Sequence, residues 1–172
     1  AFKAKDEGVQ LAAVKAFVET GDGEAAWKGG LKAALPDAKT EEAKLPEVRA
    51  VEACKALRPD GAVATLLALV GKAKDPKVAA AAVQALGGYE RSKQRVNILN
   101  ELVGTLRTAR PGTNPTTGQR GNSPRWDAMA PEAVPALNEL TGQKVADFDA
   151  WLQLYDEKIR GGRSAVAPPT VI

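Results

Sequence analysis

The sequence DPKVAAAAVQALG, residues 75–87, indicates how the chain folds. Asp75 is a typical helix N-cap, and the proline after it takes the first helical position, where its missing N–H removes no hydrogen bond. Val78, Ala82 and Leu86 then recur at helical spacing along one side. The stretch therefore predicts a short helix that buries a face of small apolar side chains.

A second copy of this pattern lies about 30 residues earlier in the chain, at the spacing of a helix-pair repeat. LPEVRAVEACKAL, residues 45–57, also has a proline near its start, then a valine, then an alanine-rich face that ends in Ala-Leu. Between the two copies lies GAVATLLALVGKAKD, residues 61–75, an apolar helix followed by a short turn with two lysines. Each helix pair would leave an apolar face that only a neighbouring pair can cover, so we expect the pairs to stack into a solenoid.

Helical periodicity covers most of the remaining chain, and the sequence predicts an all-α protein of about eight helices. Residues 111–124, PGTNPTTGQRGNSP, contain no apolar side chain and are predicted to form a long exposed loop. We therefore expect a helical repeat domain over residues 1–160, with a basic loop inserted at 107–125, and an extended C-terminal tail at 161–172.

The segment 75–87 resembles the repeat motif of the HEAT-repeat family of α-solenoids, through its Asp-Pro start, its Val78 and its closing Ala-Leu-Gly. VPALNELTGQ, residues 134–143, followed by DFDAW, residues 147–151, is similar to the terminal repeat of bacterial HEAT-repeat proteins. The resemblance implies a right-handed solenoid of stacked antiparallel helix pairs. It also implies binding to proteins or, less often, to nucleic acids; a few members of the family are enzymes, so the fold alone does not assign a function.

The composition excludes most catalytic chemistry. The 172 residues include no histidine, which removes Ser-His-Asp and Cys-His arrangements, most zinc sites and the commonest general base. The single cysteine, Cys54, rules out an intrachain disulfide and is predicted to be a small core residue. No phosphate-binding glycine loop, hydrolase elbow or calcium loop occurs, so we predict no enzyme activity, no cofactor and no metal site.

The strongest candidate for a binding site is the segment 107–125, which contains four arginines and no acidic residue. Arginine makes bidentate contacts with carboxylates and phosphates, so the segment is either a solvated insertion between repeats or a docking loop for an anionic partner. Without compensating acids, these arginines would repel one another, and replacing them with glutamine would leave the melting temperature nearly unchanged. Trp126 follows directly and is predicted to be either core or partly exposed. The candidate partner-binding residues are Arg107, Arg110, Arg120, Arg125 and Trp126.

The predicted function is a non-catalytic interaction or scaffold module that binds another protein, one with an acidic surface, through the concave row of second helices and the arginine-rich loop. Two alternatives remain: a nucleic-acid-binding protein similar to HEAT-like DNA glycosylases, and a structural subunit of a larger assembly. The net charge of +3 is modest for a nucleic-acid binder, so nucleic acid is the less favoured partner. No apolar stretch approaches the roughly 18 residues that span a membrane. The start of the chain leaves the compartment open, and the resemblance, to bacterial proteins that are often exported, favours an exported or periplasmic mature protein over a cytoplasmic one.

Overall fold

The computed structural model describes residues 12–13, 16, 19–32, 35, 45–112, 116–117 and 121–159, and in these ranges every regular element is helical. The described residues form seven α-helices: α1 (Gly23–Ala26), α2 (Leu45–Leu57), α3 (Val63–Lys72), α4 (Pro76–Gly87), α5 (Arg95–Ala109), α6 (Pro124–Thr141) and α7 (Phe148–Leu154). π-Helical turns continue α1 (Trp27–Leu31) and α7 (Tyr155–Ile159), and a 3₁₀ turn (Asp60–Ala62) leads into α3. The predicted all-α character is confirmed for this part of the chain. The predicted tail at 161–172 lies outside the described residues.

Short polar side chains cap four of these helices, α1, α4, α6 and α7. The side chain of Asp75 accepts a hydrogen bond from the Lys77 N–H at 2.8 Å, which caps α4 as its sequence predicts. Ser123 caps α6 and Asp147 caps α7 in the same way. Gly142, at φ 71°, ends α6 in the left-handed conformation that glycine adopts without strain.

The helices alternate between two layers. In one layer α4 packs between α2 and α6; in the other α3 packs beside α5. Contacts of α3 with α4, and of α5 with α6, join the layers. From α2 to α6, helices that are adjacent along the chain therefore lie in different layers, and each helix packs beside the next but one.

Small residues bring α2, α4 and α6 close together. A Cβ atom on Gly87 would lie 2.8 Å from Ala136 Cα, and one on Gly88 would lie 2.8 Å from the Lys55 carbonyl oxygen. The backbone at the end of α4 thus lies so close to α2 and α6 that only glycine fits at these two positions. The buried side chains of α4 are otherwise alanine, valine and leucine.

Cys54 lies in this core and has no accessible surface. Its Sγ lies 3.4 Å from the Ala50 carbonyl oxygen, and burial raises the pKa of the thiol to about 12. A thiol that stays protonated is a poor nucleophile and metal ligand. The prediction that Cys54 is a core residue is confirmed.

The connection between α6 and α7 departs from a simple helix pair. The ring of Phe148, the first residue of α7, contacts Trp126 in the first turn of α6, with 5.1 Å between ring centroids. Residues 142–147 therefore run back along α6. Asn138 fixes this path: its side chain donates to the Val145 carbonyl at 3.0 Å and accepts from Trp151 Nε1 at 2.9 Å.

Candidate partner-binding site

Arg107 joins α5 to the π-helical turn after α7. Its Nη2 donates to both carboxylate oxygens of Asp156, each at 2.9 Å. The two side chains keep 40% and 48% of their accessible surface, so solvent screens the pair and its contribution to stability is small.

Arg110 makes a more buried bidentate pair with Asp149 in the first turn of α7. Its Nη1 donates to Asp149 Oδ1, and its Nη2 donates to Oδ2 at 2.7 Å. The guanidinium carbon also lies 5.9 Å from the centroid of the Phe148 ring, within the range of a cation–π contact. Only 18% of the Arg110 side chain remains accessible, so this arginine holds α7 against the end of α5.

Arg125 caps the end of α3. Its Nη2 donates to the carbonyl oxygens of Ala73 at 2.9 Å and Leu69 at 3.5 Å, where a cation meets the negative end of the helix dipole. Its Nε is buried and makes no hydrogen bond, and the same burial lowers the pKa of the guanidinium. Arg125 therefore ties the start of α6 to the end of α3.

Trp126 is buried, with 7% of its surface accessible. Of the two predicted placements, the structure has the core one, because the ring lies against Phe148. A base or an aromatic side chain of a partner cannot stack on Trp126 without moving the ring of Phe148.

The residues of the predicted partner-binding site thus make separate contacts within the fold. Arg107, Arg110 and Arg125 each bind another element of the fold, and Arg120 lies outside the described residues. The expectation that the arginines lack acidic partners is wrong for Arg107 and Arg110. The carboxylates come from α7 and the turn after it, remote in sequence. The spacing is a signal in the sequence: Arg107 and Arg110 are one helical turn apart, and Asp149 and Asp156 are two helical turns apart.

Arg110→Gln is accordingly expected to destabilise the protein by about 1 kcal/mol, because it removes a bidentate pair and a cation–π contact. Arg91→Gln is the matched control, since Arg91 is 76% accessible and its nearest described carboxylate oxygen, on Glu90, is 3.9 Å away. Thermal unfolding of the two variants measures the difference. Equal melting temperatures for the two would mean that the Asp149 pair adds no stability.

A surface whose residues the sequence did not indicate lies on the layer of α2, α4 and α6. Every described side chain of α4 is buried except those of one stripe, which is Pro76, Lys77, Ala80 and Gln84. The neighbouring helices add accessible residues beside this stripe. We call the whole set the α2–α4–α6 face: Glu52, Lys55, Ala56, Lys77, Ala80, Gln84, Ala128, Pro131, Glu132, Pro135 and Glu139.

An ion pair crosses this face from one outer helix to the other. Lys55 Nζ on α2 lies 3.1 Å from both carboxylate oxygens of Glu139 on α6. A Cβ atom on Gly87 would lie 2.9 Å from Glu139 Oε2, so the pair passes over the end of α4. The three helices therefore form one continuous surface.

Two prolines stand inside α6 on its accessible side. Because proline has no N–H, Pro131 and Pro135 leave the carbonyls four residues earlier, those of Asp127 and Pro131, without the usual helical donor. Both of these residues are exposed, so water reaches this side of α6. This exposure explains how α6 tolerates internal prolines.

The charge of the α2–α4–α6 face is not positive. Glu52, Glu132 and Glu139 outnumber Lys55 and Lys77 among its described side chains. A surface that follows a phosphate backbone needs an excess of cations. The described face therefore lacks the excess of cations that a phosphate-binding surface has.

No three His, Cys, Asp or Glu side chains among the described residues are placed to hold a metal ion. Within the same part of the chain, the helices are too short or too polar to cross a membrane. Comparison with protein-family models, with curated proteins and with solved structures finds no match to this chain.

Proposed function

We propose that this protein is a non-catalytic interaction module, a short HEAT-like solenoid that binds another protein on the α2–α4–α6 face. The observation that carries the proposal is the placement of α4 between α2 and α6, with one accessible stripe on an otherwise buried helix. Because α2 and α6 cover both flanks of α4, its accessible stripe forms one continuous surface with the accessible residues of those two helices.

The alternation of helices between two layers supports the solenoid interpretation. In a solenoid, successive pairs stack so that equivalent helices lie side by side in one layer. The two alanine-rich copies, 45–57 and 75–87, are α2 and α4, which are adjacent in the same layer. The close approach at Gly87 and Gly88 is what equivalent helices with small side chains permit.

The chemistry of the face suits a protein partner. Accessible alanine side chains lie on all three helices, with Ala80 at the centre, and Gln84 provides a donor and an acceptor beside Ala80. Charged residues stand around them, and Lys55 and Glu139 already neutralise each other. An interface with a small apolar centre and a polar rim is typical of protein–protein recognition. The arginine-rich segment contributes to the fold through three of its arginines and is secondary for binding in this proposal.

The test uses the immobilised full chain to capture a protein from extracts of the source cells, followed by measurement of its Kd. Ala80→Arg and Ala80→Glu both place a large side chain at the centre of the face, and each should raise Kd at least about tenfold. Because the block is steric, the sign of the added charge should matter little. Asn97→Arg and Asn97→Glu, on an exposed position of α5, are the matched controls and should bind as the parent does.

An unchanged Kd in both Ala80 variants would overturn the assignment of this face. A nucleic-acid binder would give a different pattern: the full chain would bind a duplex or single-stranded oligonucleotide, with an affinity that falls steeply as salt rises. A captured species that nuclease treatment releases would favour that alternative.

A further inference from the structure

A recess of about 660 Å³ lies between the exposed sides of α3 and α5, on the layer opposite the α2–α4–α6 face. We call it the α3–α5 groove. Its lining includes Val70, Gly71, Glu101, Gly104, Thr108 and Arg125. The side chain of Glu101 is exposed and makes no hydrogen bond or ion pair with the described residues.

Two glycines on the groove are not explained by the packing of the described residues. A Cβ atom on Gly104 would meet nothing within 4 Å, and one on Gly71 would meet only Thr105 Cγ2 at an ordinary 3.8 Å. Glycine inside a helix is less favourable than alanine, so a helical glycine usually marks a close approach of another chain segment. At Gly87 that approach comes from α6; at Gly71 and Gly104 the described residues supply none.

The described part of the chain ends beside this groove. Tyr155 donates its hydroxyl to Asn100 Oδ1 at 2.8 Å, and Asn100 also lines the groove. Arg107 holds Asp156, the next residue, against α5. Residues 160–172 continue from there. At about 3.3 Å per residue they can extend roughly 40 Å. The part of α5 that lines the groove, from Asn100 to Ala109, is about 14 Å long, so the segment is long enough to follow it.

We propose that the α3–α5 groove is the docking site of the chain's own segment 160–172. The small residues at 165–167, Ala-Val-Ala, lie on the floor at Gly71 and Gly104, and Arg163 pairs with Glu101. Small side chains let the backbone of the segment approach the glycines closely, and the opposite charges fix its register. This docking is independent of partner binding on the α2–α4–α6 face.

Disulfide cross-linking of the full chain tests the proposal. Thr108→Cys on the groove, combined with Ala167→Cys in the segment, should form an intramolecular disulfide at least about tenfold faster than Ala146→Cys combined with Ala167→Cys, because docking raises the effective concentration. Ala146 is exposed just before α7 and lies within the reach of the segment. Without docking, the two cysteine pairs would therefore form disulfides at similar rates. The native Cys54 does not compete, because it is buried and its pKa is about 12.

Gly104→Leu gives the second arm of the test. The added side chain enters open space, so the fold should tolerate it, while the Thr108–Ala167 cross-link should slow to the rate of the Ala146 pair. Equal rates for the Thr108 and Ala146 pairs would overturn the proposal. So would a rate that Gly104→Leu leaves unchanged, and so would a disulfide that forms between two chains rather than within one.

Discussion

Replacing Leu86 with alanine is expected to lower the free energy of unfolding by about 2 to 5 kcal/mol. Leu86 has no accessible surface, and α4 contacts α2, α3 and α6 around it. The backbones near it are already in close contact at Gly87, so the surroundings cannot collapse into the cavity that the substitution leaves. Chemical denaturation of the parent and the variant measures the loss.

Leu67→Ala on α3 is the matched control, because it removes the same atoms from a half-buried position. The loss in free energy of unfolding should be clearly smaller for Leu67→Ala, because folding buries less apolar surface at this position and the gap opens toward solvent. A loss below about 2 kcal/mol at Leu86, or equal losses at the two sites, would contradict the central position that the structure gives Leu86.

Local sequence signals were sufficient for the helices themselves. In the segment 75–87 the cap at Asp75 and the buried positions Val78, Ala82 and Leu86 all agree with the prediction. Capping and helical periodicity depend on residues a few positions apart, so one sequence contains the information. The same reasoning placed Cys54 in the core.

The partners of the arginines could not be predicted in the same way. Arg107 and Arg110 meet Asp156 and Asp149 only because α7 returns along α6. That return depends on the hydrogen bonds of Asn138 to the connection before α7, a tertiary contact with no periodic signature. A charge count confined to the segment 107–125 therefore missed the compensating acids.

The same tertiary contact decides the position of Trp126. The sequence left two placements open because the residue follows a polar loop and also begins an apolar helical stripe. Phe148, which lies far along the chain, covers its ring and buries it. The fold near the candidate site thus depends on where α7 packs, whereas the α2–α4–α6 face follows from the repeated helix motif.

Gly87→Ala is expected to destabilise the protein by about 1 to 3 kcal/mol, although alanine is the better helix former. The new Cβ would lie 2.8 Å from Ala136 Cα and 3.1 Å from Ala136 Cβ. The first of these is a backbone atom, so relief requires α4 and α6 to move apart and separates Lys55 from Glu139 as well. Thermal and chemical unfolding measure the change.

Gly112→Ala separates this packing effect from the general effect of removing a glycine. Gly112 is exposed, its φ is not in the left-handed region, and a Cβ there would meet nothing within 4 Å. Alanine lowers the conformational entropy of the unfolded chain. The free energy of unfolding should then stay unchanged or rise by up to about 1 kcal/mol. Opposite signs for Gly87→Ala and Gly112→Ala are therefore the expected result. A stabilising Gly87→Ala would mean that α4 and α6 are not in close contact, and the continuous α2–α4–α6 face would lose its structural basis.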